Sequence, residues 1–217
     1  MRESLEAKKT RARRIVGRLG RAYSDAKIAL DFTTPLELLV ATILSAQCTD
    51  ERVNLVTPAI FRKYRAAADW AGADQRTLEA EVRSTGFYRA KARAVIGMAR
   101  ALVAQHGGEV PRSRAALVEL PGVGLKTANV VLGNAFGEPA IAVDTHVFRV
   151  SQRLALAKSG IPDRIHDQLI QVLPRAQWTR ITHLLQAHGR RTCLARKPRC
   201  PACPVRALCP WPEKPSS

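Results

Sequence analysis

Apolar residues recur along this 217-residue chain with a period close to 3.6 almost everywhere, the spacing that lays one stripe of side chains along an α-helix. Leu36, Leu39, Val40, Ile43 and Leu44 share one such face. Thr34-Pro35-Leu36-Glu37 marks its start: a threonine N-cap, a proline at the first helical position and a glutamate that closes a capping box. Val95, Ala99, Leu102 and Val103 repeat the pattern on a helix that ends before Gly107-Gly108. Further helices are predicted near 4–20, 50–65, 74–84, 114–119, 124–136, 144–156, 163–173 and 175–188, with Asp50, Asp74, Ser113 and Asp163 as N-caps. No period-2 strand or hairpin pattern stands out. The expected fold is all-α, with connections of a few residues and no low-complexity linker.

Composition adds a core and a charge. With 46% apolar residues, a chain of this length hides about 70% of its extended surface on folding and needs no disulfides for one or two compact domains. No run of 18 apolar residues occurs, which argues against a spanning helix. Met1 to Thr10 carries Glu3 and Glu6 with no apolar stretch after it, so neither a secretory leader nor an acid-poor transit peptide is expected. The net charge is +17, which points to a polyanion, either nucleic acid or an anionic membrane. Residues 1–27 and 188–217 each contribute +6, and the 160 residues between contribute only +5. Both ends are therefore basic, forming one cationic surface if the termini pack together, or two solvated tails if they do not.

Cys193, Cys200, Cys203 and Cys209 fall within seventeen residues, while Cys48 stands alone in an apolar segment and reads as an inert buried thiol. In a reducing compartment, four clustered thiols are metal ligands rather than disulfides. The spacing is C-x6-C-x2-C-x5-C, with Pro198, Pro201, Pro204 and Pro210 stiffening the intervening turns. Zinc ribbons normally use two C-x2-C knuckles and this loop has one, but four thiolates suit zinc or an iron-sulfur cube on ligand chemistry alone.

Between Leu117 and Asp144 a short helix runs into Leu120-Pro121-Gly122-Val123-Gly124, and a second begins near Leu125-Lys126-Thr127-Ala128. Pro121 stops the first helix, and the glycines permit positive φ and close approach by another backbone. The second helix then presents unpaired N–H groups and its positive dipole end, a setting for one phosphate that carries no base information. The same residues also read as a plain tight turn between packed helices.

Leu120 to Ala128, then Val143-Asp144-Thr145-His146, then the four-cysteine loop resemble endonuclease III of the helix-hairpin-helix DNA glycosylase superfamily, as does Leu44-Ser45-Ala46-Gln47-Cys48-Thr49-Asp50. The matches run in the family order from about residue 15 to 210. The resemblance implies a bifunctional glycosylase and abasic-site (AP) lyase of base excision repair. Such an enzyme removes oxidised pyrimidines from duplex DNA and nicks the abasic site by Schiff-base β-elimination. It implies that Cys193, Cys200, Cys203 and Cys209 hold a 4Fe-4S cluster. It also implies a two-lobed fold: a six-helix barrel with the hairpin over 28–138, and a cluster domain formed by 1–27 and 139–217, with the active site in the cleft between them. The expected partner is double-stranded DNA containing damaged pyrimidines or abasic sites, met by a monomer in a bacterial cytoplasm, associated with the nucleoid, with no membrane involved.

Lys126 stands at the family's nucleophilic lysine, the amine that attacks C1′ of the flipped nucleotide. An ordinary lysine is neutral in only about one molecule in 2,500 at pH 7. A nucleophilic one therefore needs surroundings that favour the neutral amine, such as a helix N-terminus in a basic protein. Asp144 stands at the catalytic aspartate, able to stabilise positive charge on the sugar and assist proton transfers, and it equally reads as the N-cap of the following helix. Gly122, Val123 and Gly124 would bind a phosphate through backbone donors, and His146 would face the pocket. Gln47 matches the residue that enters the duplex where the base has left, and Phe87 falls where the family commonly has a leucine wedge. Leu125 replaces a basic residue common before the lysine. Lys197 and Arg199, with Arg196, place cations for DNA on the cysteine loop, and Lys8, Lys9, Arg11, Arg13 and Arg14 extend the basic surface at the N-terminus. Two other readings are an adenine glycosylase of the same superfamily and a non-catalytic helix-hairpin-helix DNA-binding protein with a structural metal. The first usually has a small residue at position 126 and a further C-terminal domain, whereas this sequence has eight residues after Cys209. The second does not explain Lys126 together with Asp144.

Overall fold

A computed structural model describes residues 3–213. Eleven α-helices and three short 3-10 turns, with no strand, account for the regular structure among the described residues. The helices are α1 (Leu5–Ala22), α2 (Pro35–Leu44), α3 (Asp50–Lys63), α4 (Ala67–Ala71), α5 (Gln75–Glu81), α6 (Tyr88–His106), α7 (Arg114–Val118), α8 (Leu125–Ala135), α9 (Thr145–Arg153), α10 (Pro162–Val172) and α11 (Trp178–Arg191). Among the described residues, no helix is long and apolar enough to cross a membrane. The chain divides into two compact units, Ala29–Glu138 and Met1–Ile28 with Pro139–Ser217.

In the 29–138 unit, α2 is the central helix. Its capping box forms as the sequence predicts: Glu37 N donates to Thr34 Oγ1 at 3.2 Å and Thr34 N to Glu37 Oε2 at 3.3 Å. Every residue from Leu38 to Leu44 is buried, so the helix is apolar all round rather than along one stripe, as a helix enclosed by others must be. Leu36 stays half-buried at its start. Around it, α2 packs on α3, α6 and α8, while α4 and α5 pack on α6 and α7 packs on α8. Trp70, Leu78, Met98, Leu102 and Leu117 complete this core. Val103, assigned by periodicity to the apolar face of α6, is 44% exposed.

In the other unit, α11 packs on α9 and α1, and α10 on α1 and α9, around Ile15, Leu19, Val150, Leu169, Ile181 and Leu185. Polar contacts explain why the first residues belong with the last. Arg11 donates to the carbonyls of Leu154 at 2.6 Å and Leu208 at 3.3 Å, and the Tyr23 hydroxyl bonds His188 Nδ1 at 2.9 Å and Thr192 Oγ1 at 2.8 Å. Close packing of α9 and α11 depends on Gly189, where an added Cβ would come within 2.9 Å of His146 Cβ.

Two expected N-caps move. Thr49 caps α3 by accepting from Arg52 N at 3.2 Å, which places Asp50 inside the first turn. The N-cap of α10 is Ile161, with Pro162 at N1 and Asp163 in the first turn. Both aspartates still lie where the helix dipole favours an anion. Asp74 caps α5 as expected, bonding Thr77 N at 2.8 Å. Ser113 is the N-cap of α7, without a side-chain bond.

Candidate active site and cysteine pocket

The hairpin between α7 and α8 is built on apolar anchors. Leu117, Leu120 and Val123 are buried, and Val123 N donates to Leu120 O at 3.0 Å. Gly122 has φ +76°, and a Cβ there would meet Ala94 Cβ of α6 at 2.7 Å. Backbone conformation and packing therefore both require glycine at 122. A Cβ on Gly97 would sit 3.3 Å from Pro121, so α6 also makes room for the hairpin. Gly124 differs: its backbone is extended and a Cβ would meet open space. It is the N-cap of α8 and leaves the first turn without a side-chain cap.

Lys126 lies in that first turn. Its side chain is exposed and makes no hydrogen bond or ion pair among the described residues. Asp144, the N-cap of α9, is half-buried and has both oxygens engaged. Oδ1 accepts from Val147 N at 2.7 Å, and Oδ2 accepts from Gln186 Nε2 at 3.1 Å. Gln186, on α11, was not legible as a site residue, because its role appears only once α9 and α11 are packed together. His146 is half-buried beside Gly189, with Nδ1 3.3 Å from Arg149 Nη2. Burial holds it below the ordinary imidazole value, while Asp144 works in the opposite direction.

Among the described residues, four non-glycine positions have left-handed backbones: Gln47 (φ 52°), Phe87 (φ 48°), Ala155 (φ 48°) and Lys197 (φ 50°). Three of them carry candidate DNA-contacting side chains. Each such position costs on the order of 1 kcal/mol. Gln47, in the turn between α2 and α3, and Lys197, on the cysteine loop, are exposed. Phe87 follows Gly86 (φ 71°) at the start of α6 and is 65% exposed. Arg199 is exposed as well, its backbone N bonded to Thr192 O at 2.9 Å. Cys48 is half-buried beside Gln47 rather than sealed in the core.

Cys193, Cys200, Cys203 and Cys209 line one small pocket, partly open to solvent, with Arg153, His188 and Trp211 around them. Burial, reinforced by the neighbouring thiols, pushes Cys200 and Cys203 above the ordinary thiol value. Arg153 Nη1 donates to Cys193 Sγ at 3.4 Å and to Leu194 O at 2.7 Å, and its guanidinium lies 4.0 Å from the Trp211 ring centroid. His188 Nε2 is 3.8 Å from Cys203 Sγ, and burial lowers its pKa to about 4, keeping the ring neutral. Among the described residues, no three His, Cys, Asp or Glu side chains are grouped so as to hold a single metal ion. Four cysteine sulfurs lining one pocket supply the soft thiolate donor set that suits zinc or an iron-sulfur cluster.

An all-helical chain with this hairpin and these side chains has the build of a DNA repair glycosylase, and comparison with known proteins agrees. The family model "HhH-GPD superfamily base excision DNA repair protein" matches residues 40–175. Endonuclease III of Synechocystis sp. is 48% identical over 207 residues, covering 95% of this chain and 94% of that protein. Endonuclease III of Escherichia coli K12 is 44% identical over 185 residues, covering 85% and 88%. A solved non-covalent endonuclease III–DNA complex superposes with a TM-score of 0.88 at 43% identity, covering 93% of this chain and 95% of that one. The chain belongs to the endonuclease III family of the HhH-GPD superfamily, the DNA glycosylases and AP lyases of base excision repair.

Proposed function

We propose that the protein removes oxidised pyrimidines from duplex DNA and cleaves the abasic site through a Schiff base on Lys126. The observation that carries this reading is an exposed amine in an uncapped first turn, with no side-chain partner among the described residues, in a chain of this family. Lys126 Nζ attacks C1′ of the extrahelical nucleotide as the glycosidic bond breaks, and the base leaves with a proton. Loss of the ring C–O bond at C1′ gives the iminium. A 2′ proton is then removed, the C3′–O bond breaks in β-elimination, and hydrolysis returns the amine. Asp144 stabilises positive charge developing on the sugar. Its bonds to Val147 N and Gln186 fix the carboxylate before substrate arrives, so little reorganisation is needed. His146 is a pocket residue.

Gly122, Val123 and Gly124 bind a backbone phosphate through N–H groups, and the open space at Gly124 supports that use. Gln47 and Phe87 enter the duplex around the vacated base, and their left-handed backbones support a role that outweighs local stability. Lys197 and Arg199 contact phosphates. Cys193, Cys200, Cys203 and Cys209 would hold a 4Fe-4S cluster, which would rigidify the loop bearing those cations rather than supply reaction chemistry. The 1–28 and 139–217 unit is then the cluster domain and the 29–138 unit the helical barrel. The enzyme acts as a monomer on double-stranded DNA containing damaged pyrimidines or abasic sites, in a bacterial cytoplasm, at the nucleoid.

Borohydride reduction on abasic duplex DNA tests the lyase assignment. Wild type should be trapped covalently and Lys126→Gln should not. Equal trapping of the two would refute it. Side-by-side rates on thymine glycol and dihydrouracil duplexes test the lesion class, and visible absorbance near 400 nm that bleaches on cluster loss separates iron-sulfur from zinc.

A further inference from the structure

Lys91, near the start of α6, is 5% exposed, and among the described residues no other lysine or arginine is buried. An ammonium group is costly to bury unless its hydrogen bonds do something specific. Its Nζ donates to Thr85 O at 2.7 Å, and its backbone N donates to Phe87 O at 3.1 Å. Thr85 is itself 2% exposed, with Oγ1 donating to Val82 O at 2.8 Å. The amine thus grips the carbonyl just before Gly86 and Phe87, the two residues whose positive φ angles turn the exposed ring outward. Burial pushes this amine below the ordinary lysine value, while the Cys48 thiol acts in the opposite direction. Cys48 is thus within electrostatic reach, and it directly follows the left-handed Gln47. A single buried cation therefore holds the carbonyl that leads into the turn carrying Phe87.

We infer that Lys91 is a positioning residue for the Phe87 wedge: its side-chain bond to Thr85 O holds the Gly86–Phe87 turn in its strained form, so the ring is presented to the duplex before DNA binds. This rests on Phe87 entering the duplex. Without the bond, the turn loses the side-chain tether that offsets an aromatic residue's disfavour for a left-handed backbone, and it relaxes to other conformations. Entry of the ring then requires ordering on binding, so the loss falls on duplex distortion rather than on the amine at position 126.

The test uses full-length protein and a duplex bearing a tetrahydrofuran abasic analogue opposite 2-aminopurine, whose fluorescence rises when it is unstacked. Far-UV circular dichroism checks each variant for folding. Wild type should raise the fluorescence, and Phe87→Ala should remove most of that rise. Lys91→Met should lose most of it too and bind about tenfold more weakly, comparable with loss of about one stacking contact. Lys91→Gln, which keeps a shorter donor, should fall between. In the cycle with Phe87→Ala the effects should be strongly non-additive, because Lys91 acts through that ring. A folded Lys91→Met or Lys91→Gln with wild-type fluorescence overturns the inference, as does additivity. A wild-type signal from Phe87→Ala instead overturns the wedge reading beneath it.

Discussion

Two helix starts in this chain are built in opposite ways. α9 begins as stability would dictate: Asp144 caps it, bonds Val147 N, and places a carboxylate at the positive dipole end. α8 begins with Gly124, which supplies no side-chain cap, and follows it with a lysine in the first turn, the wrong sign for the dipole. Replacing a serine or aspartate cap by glycine costs only a few tenths of a kcal/mol, and a misplaced cation adds about 0.5 kcal/mol. The deficits are small but both run the same way. One start uses its functional group to close the helix; the other leaves N–H groups and an amine open to an outside partner.

Substitutions can break this contrast, and the largest effect is expected at Lys126. Lys126→Gln should lower strand cleavage at abasic sites by on the order of a thousandfold or more, with the thermal midpoint unchanged or slightly higher, since a cation leaves a positive helix end. Asp144 separates capping from chemistry. Asparagine is as good a cap as aspartate, so Asp144→Asn should preserve stability and lose about a hundredfold or more in cleavage rate, whereas Asp144→Ala should lose the same activity and about 1 kcal/mol of stability. Denaturant melts alongside single-turnover cleavage would read both. Gln186→Leu removes the donor to Asp144 Oδ2 and should slow single-turnover cleavage several-fold, roughly the value of one net hydrogen bond. Smallest is Gly124→Ser, which should stabilise α8 by a few tenths of a kcal/mol while weakening duplex binding severalfold, measured by anisotropy. Unchanged binding there would mean that the open backbone does not meet a phosphate.

Local chemistry made much of this legible. The Thr34–Glu37 capping box, the Pro-Gly-x-Gly hairpin and the dual reading of Asp144 are all short-range, and the structure forms the box and the N-cap with the bonds they require. Boundaries failed where two capping residues stand side by side, as at Thr49-Asp50, or where a proline starts the helix earlier than its acidic neighbour, as at Pro162-Asp163. The five-residue α4 left no periodic signal; it is held by Asp69, whose carboxylate accepts from Arg65 N and Ala66 N, each at 2.8 Å. Left-handed Gln47, Phe87 and Lys197 were beyond sequence reasoning, since none is a residue type that favours positive φ. Gln186 stayed hidden because its partner is 42 positions away, and Gly189 because it matters only where α11 packs against His146 and Arg149 of α9.

Where the covalent bond to DNA forms is the most direct question. Mass-spectrometric mapping of the borohydride-reduced adduct between the wild-type enzyme and abasic duplex DNA should place the deoxyribose fragment on the peptide containing Lys126. An adduct on another lysine or on the terminal amine, with Lys126 unmodified, would contradict the account.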